Sequence, residues 1–128
     1  MKEIVEYEKK EVLQEHLGKP VLATDKAYYG STATVKEPAF VTIGILKELN
    51  GNSFWIQGSF LKAKRDMDWH KVYTIMGVEY ILHTPRVVRP ILDHHRDSDY
   101  RVYLFNSDTE GLETIEKIQR LEDIAEIR

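Results

Sequence analysis

The chain has 128 residues, no Cys, and 18 Lys plus Arg against 21 Asp plus Glu, for a formal net charge of -3 at pH 7. That length suits one domain, and a composition of 42% hydrophobic and 30% charged residues provides for both a core and a solvated surface. Without Cys there are no disulfides, thiolate metal sites or cysteine nucleophiles. No apolar run reaches the ~20 residues of a membrane helix, and the start Met1-Lys2-Glu3-Ile4 lacks a signal peptide's apolar stretch. The expectation is one cytoplasmic domain over residues 1–128 with no membrane partner.

Charge is unevenly spread. Residues 1–61 hold 7 basic and 8 acidic side chains, residues 62–101 hold 8 and 6, and residues 102–128 hold 3 and 7. A duplex-binding domain driven by counterion release carries a clear basic excess, which is missing here. A nucleic-acid role would need a local patch drawn from Lys62, Lys64, Arg65, Arg86, Arg89 and Arg96. For each of these a solvated surface position is the plainer reading.

In chain order, a first helix is expected over about residues 7–17, where Val12, Leu13, His16 and Leu17 make a short apolar face. Gly18 and Pro20 then stop it, since Gly accepts a left-handed cap and Pro cannot extend a helix. Pro20 to Thr24 reads as a strand, and residues 25–39 as irregular. Phe40–Leu49 and Ser53–Leu61 form a hairpin across Asn50-Gly51-Asn52. A two-residue Asn50-Gly51 loop pairs Ile45 with Ile56. One buried face then carries Val41, Ile43, Ile45, Phe54, Ile56 and Phe60, and Leu46 and Trp55 fall on the other.

Further strands are expected at Lys71–Met76, Val78–His83, Val87–Leu92 and Tyr100–Phe105, with Pro85 and Pro90 keeping the third off a central position. A final helix begins near Asn106-Ser107-Asp108, where Ser107 and Glu110 have capping-box spacing. Its apolar residues Leu112, Ile115, Ile118, Leu121, Ile124 and Ile127 recur every third position. Such a stripe drifts around the axis, which fits a helix packed on more than one side.

Three stretches resemble the Sm-like small β-barrel family. Leu13 to Val21, with Leu17-Gly18-Lys19, resembles that family's helix end and first strand. Gly44-Ile45-Leu46-Lys47-Glu48-Leu49-Asn50 resembles the first Sm motif, with Asn50 at its Asp position, and Ile75-Met76-Gly77-Val78-Glu79-Tyr80-Ile81 resembles the second. The resemblance spans residues 13–83. It implies an α+β chain: a strongly bent five-stranded barrel, an N-terminal helix and, over residues 84–128, a C-terminal β-plus-helix extension. It also implies self-assembly and RNA binding. Gly44 and Gly77 are kept where a bent strand needs close backbone approach. The base-reading positions differ: Ser53-Phe54 replaces the motif Asn, Met76 replaces the Arg before Gly77, and residues 27–40 read as an insertion.

Chemistry-bearing residues are sparse. Five His residues (His16, His70, His83, His94, His95) with Asp93, Asp97 and Asp99 invite a metal-dependent hydrolase reading. Their spacing matches no helical ligand pair, and the adjacent His94 and His95 would face opposite sides of a strand. No nucleophile elbow, P-loop or dinucleotide fingerprint is present. The reading is therefore a non-enzymatic, homo-oligomeric Sm-like protein with no catalytic residue, metal or cofactor, whose ligand is RNA or a nucleotide. The candidate ligand-binding residues are Tyr28, Tyr29, Asn50, Asn52, Arg86 and Arg89. The alternative is a protein-interaction or small-ligand-sequestering module, as in a phage or other mobile element.

Overall fold

The structure, a computed structural model, describes residues 1–25, 40–51, 53–63, 72–75, 78–82, 91–95 and 100–127. The architecture is α+β. A two-residue strand β1 (Lys2–Glu3) leads through a 3-10 turn (Glu6–Glu8) to helix α1 (Lys9–Glu15). Seven strands follow: β2 (Pro20–Asp25), β3 (Phe40–Asn50), β4 (Ser53–Ala63), β5 (Val72–Ile75), β6 (Val78–Leu82), β7 (Ile91–His95) and β8 (Tyr100–Leu104). Helix α2 (Asp108–Ile127) ends the chain.

All described strand pairs are antiparallel, in the order β1-β8-β2-β3-β4-β6-β5, and β7 also pairs with β4. A strand has two hydrogen-bonding edges, and those of β2 are taken by β3 and β8. The sheet is open or curled, and the closed five-stranded barrel expected from the sequence is not shown. The segment after residue 83 is built into the same sheet, since β8 lies directly beside β2.

Helix α1 begins later than expected, because residues 6–8 turn as a 3-10 segment. It stops as expected. Gly18 adopts φ 81°, a conformation that costs Gly little. The chain beyond it is stitched to β3: the Gly18 N–H donates to the Leu46 carbonyl at 2.8 Å, and the Leu46 N–H to the Lys19 carbonyl at 3.0 Å. The polar N-terminus also joins the sheet, with Lys2 opposite Leu104 and the Ile4 N–H donating to the Val102 carbonyl at 2.8 Å.

The hairpin forms, but its register differs from the expected one. Asn50 pairs with Ser53, so the loop is Gly51-Asn52, with Gly51 at φ 57°. A bulge between Leu46 and Glu48 then shifts the pairing, so Ile45 lies opposite Gln57 and Leu46 opposite Ile56. The expected single buried face is corrected too, because both faces of the sheet are covered. On one, Leu22, Val41, Ile43 and Leu61 pack against Ile115 and Ile118 of α2. On the other, Val21, Ala23, Leu46, Phe54, Ile56 and Val102 pack with Leu13 of α1 and Ile4. Val41 and Ile43 thus belong to a different face from Phe54 and Ile56. Leu46, expected among polar residues, is fully buried.

Gly44 and Gly58 face each other across β3 and β4. A Cβ on Gly44 would stand 2.1 Å from the Gln57 carbonyl oxygen, and one on Gly58 1.9 Å from that of Ile43. The two backbones approach so closely that only a glycine pair fits. Beyond this point β4 changes partners along one edge, from β7 (Ser53–Gln57) to β6 (Leu61–Ala63). Residues 54–61 are therefore no sheet edge, since β4 has β3 on one side and β7 and β6 on the other.

The final helix starts as expected. The Glu110 N–H donates to Ser107 Oγ at 3.1 Å, satisfying one of the orphan donors of the first turn. Gly111, Ile115 and Ile118 form the inward face, and Leu112 is 51% exposed. The packing of Leu121, Ile124 and Ile127 lies outside what is described.

Candidate functional site

The site is built by the hairpin tip and the strand that docks beside it. The turn that pairs Asn50 with Ser53 sets the register of the hairpin tip, up to the bulge at Lys47. Asn50, Ser53 and His95 then fall in one row across β3, β4 and β7, and Glu48, Trp55 and Asp93 in the next. Directly opposed residues of antiparallel strands share a face, with Cβ atoms roughly 4.5–5.5 Å apart. Glu48, Asn50 and Gln57 are exposed, and Ser53 and Trp55 are half-buried. Ser53 Oγ donates to the Asn50 carbonyl at 2.9 Å and braces the turn. Residues far apart in the chain, 48–57 and 91–95, meet at one accessible end of the sheet.

Of the six residues expected to bind ligand, Asn50 alone is described, and it stands exposed at the end of β3. Tyr28, Tyr29, Asn52, Arg86 and Arg89 lie outside the described residues, as do Lys64, Arg65 and Arg96. The expected strand Val87–Leu92 is described only from Ile91, and among the described residues it pairs with β4. Of the His and Asp residues, Asp93, His94 and His95 occupy successive positions of β7. His16 sits at the end of α1, where its Nδ1–H donates to the Val12 carbonyl at 2.8 Å. His70, His83, Asp97 and Asp99 lie outside the description. Among the described residues no three or more His, Asp or Glu side chains are grouped to hold a metal.

Two other polar features, one buried and one half-buried, serve the fold. Lys9 is 2% exposed, and its Nζ donates to the Tyr100 carbonyl at 2.8 Å, tying α1 to β8. The phenol of Tyr103 is pushed above its ordinary value, first by burial, then by a hydrogen bond to Glu3 and its charge, with Arg101 opposing. A cavity of about 70 Å³ beside Ile4, Val12 and Leu104 is well below the ~300–1,000 Å³ of small-molecule pockets. None of the described helices is long and apolar enough to cross a membrane.

Sequence reading placed Trp55 on the polar face of the hairpin but not in one row with positions 48 and 93. The row follows from a turn placed at residues 51–52 and from the pairing of β7 with β4, and a single sequence marks neither of them. No family model, curated protein or solved structure matches this chain.

Proposed function

We propose that this chain is a non-enzymatic binding protein: an Sm-like, strongly bent β-module that works as a homo-oligomer and takes RNA or a nucleotide as ligand. The observation that carries the reading is the convergence of the hairpin tip and β7 at one accessible sheet end. A half-buried indole there stands among amide and hydroxyl side chains, Asn50, Ser53 and Gln57. An aromatic face stacks bases, and amides read their edges. The glycine-paired bend of β3 and β4 supports the Sm-like part of the reading. In it, β8 takes the flank of β2 that a closing barrel strand would use.

A gel shift with short uridine-rich and adenine-rich oligonucleotides at low salt tests this. Binding that Asn50→Ala weakens supports the reading. Binding carried by Arg86 and Arg89 would also fall steeply with added salt. No shift at low salt overturns the RNA reading.

One observation favours the second reading, a protein-interaction module. Trp55 is half-buried at this accessible end of the sheet, and Trp is enriched at protein-interface hot spots.

A further inference from the structure

We propose that residues 1–8, clasped by Lys9, form a releasable strap over the outer edge of β8, and that this edge is a self-complementary docking surface for the β8 strand of a second copy. The surface is separate from the assembly proposed above, which concerns the chain with its strap in place.

The hydrogen-bond phase defines the edge. The Ile4 N–H donates to the Val102 carbonyl, and Lys2 lies opposite Leu104. Backbone groups alternate between the two sides of an antiparallel strand. Those of Tyr100, Val102 and Leu104 therefore face the strap, and those of Arg101 and Tyr103 face β2. In the same register Tyr100 would pair with residue 6, but residues 6–8 turn away as a 3-10 segment. The Lys9 ammonium reaches the Tyr100 carbonyl at 2.8 Å instead. A very short strand and an inward-pointing Lys are devices that guard an edge against pairing.

The strap is lightly held. Among its described side chains Ile4 is buried, and Met1, Lys2, Glu3, Val5, Tyr7 and Glu8 are exposed. The Tyr103 phenol adds one hydrogen bond, to the Glu3 carboxylate. Underneath, the cavity of about 70 Å³ beside Val12 and Leu104 leaves the packing incomplete.

Strand β8 itself is built to pair. Tyr100-Arg101-Val102-Tyr103-Leu104 is rich in aromatic and branched residues, holds one charge and has no Pro or Gly, which is the composition of a segment that adds strands. An antiparallel pair about a two-fold axis at Val102 places Tyr100 opposite Leu104 of the second copy, and Arg101 opposite Tyr103 of the second copy. The outward N–H and C=O groups of β8 then all find partners. An aromatic and an aliphatic side chain meet on one face, and a guanidinium meets a phenol ring on the other. Centring the axis on residue 100 or 104 pairs only part of the strand, and centring it on 101 or 103 breaks the phase. In the remaining register the one cation faces a ring and no second cation, which selects a second copy as the occupant.

Three measurements on the full chain test this. In the wild type the Leu104 amide faces the strap and the Tyr103 amide faces β2, so amide exchange should be at least tenfold faster at Leu104. Equal protection overturns the strap. Ile4→Pro removes the donor to the Val102 carbonyl and should release the strap, raising Leu104 exchange further. The released chain should sediment as a heavier, concentration-dependent species than the wild type. Lys9→Met, which removes only the ammonium at Tyr100, should act in the same direction, and it carries the same readouts if the proline variant loses the amide dispersion of a folded chain. Lys10→Met, at an exposed position, should leave the mass unchanged.

The register is read with thiols, since the natural chain has no Cys. Release-variant chains carrying Arg101→Cys are mixed under oxidation with release-variant chains carrying Tyr103→Cys. Residues 101 and 103 would be directly opposed at a Cα separation of about 4.5 Å, within disulfide reach. Mixed disulfides should exceed same-kind ones at least fivefold, and should be absent when Ile4 and Lys9 are kept. Leu104 exchange unchanged in both release variants overturns the strap. A released strap with unchanged mass overturns the second-copy surface, as does association without an excess of mixed disulfides. A wild type at 15.0 kDa removes the assembly proposed above and leaves this inference to its own outcomes.

Discussion

A Cβ on Gly58 would stand 1.9 Å from a backbone carbonyl oxygen, a contact that no side-chain rotation relieves. Gly58→Ala must push β3 and β4 apart at their closest point, and is expected to cost about 3 kcal/mol or more of unfolding free energy. Gly51→Ala, with φ 57° but nothing within 4 Å, should cost only the left-handed strain of about 1–2 kcal/mol. Denaturant titration of both variants checks the order. Tyr103 gives a second residue-scale prediction. Burial and Glu3 hold its phenol above the ordinary 10.0, so the native state favours the neutral ring. Its contribution is whole below about pH 10 and is lost as pH rises through the raised value. Urea unfolding at about pH 8 and about pH 11 should show the wild type losing stability relative to Tyr103→Phe only at the higher pH.

At the scale of elements, periodicity located the strands and helices and misjudged how they face. Pro20–Asp25, the two hairpin strands and the capped helix at Ser107 all stand within a few residues of where composition and turn signals put them. The hairpin faces did not follow, because alternation identifies a buried face only when the other face is wet. Here α2 covers one side, and α1 with the curled sheet covers the other, so Leu46, Ser59 and Thr42 are all buried. The bulge then displaced the pairing by one residue. Burial nevertheless separates neighbours sharply. Ile56→Ala should cost about 2–5 kcal/mol, and Gln57→Ala, on the exposed side, less than about 0.5 kcal/mol. Thermal melts of the two variants decide it, and equal effects would mean that the register is wrong.

For the whole molecule, the question is how a sheet with open ends behaves in water. Among the described strands, β5 pairs with β6 alone, and β4 is enclosed. An edge strand presents unpaired N–H and C=O groups, which proteins pair, cover or charge. Leu112 adds an exposed apolar side chain on α2. On the proposed homo-oligomer, sedimentation at low micromolar concentration should give a multiple of the 15.0 kDa chain mass. A single 15.0 kDa species unchanged by concentration would remove self-assembly and the ring analogy together.

Local chemistry by itself determined the α+β class, the helix stop at Gly18, the hairpin at residues 50–52 and the cap at Ser107. Each depends on residues within one turn or one strand of each other, where backbone sterics and capping bonds act directly. Asn50 was legible as a candidate in the same way, from its place in a turn. Tertiary structure alone decided that β8 lies beside β2, that Gly58 answers Gly44, and that Trp55 stands between Glu48 and Asp93. These are pairings between strands up to roughly eighty residues apart. Which edges meet, and in which register, is settled by burying two cores at once and by one extra residue at a bulge, and no short window of sequence contains either.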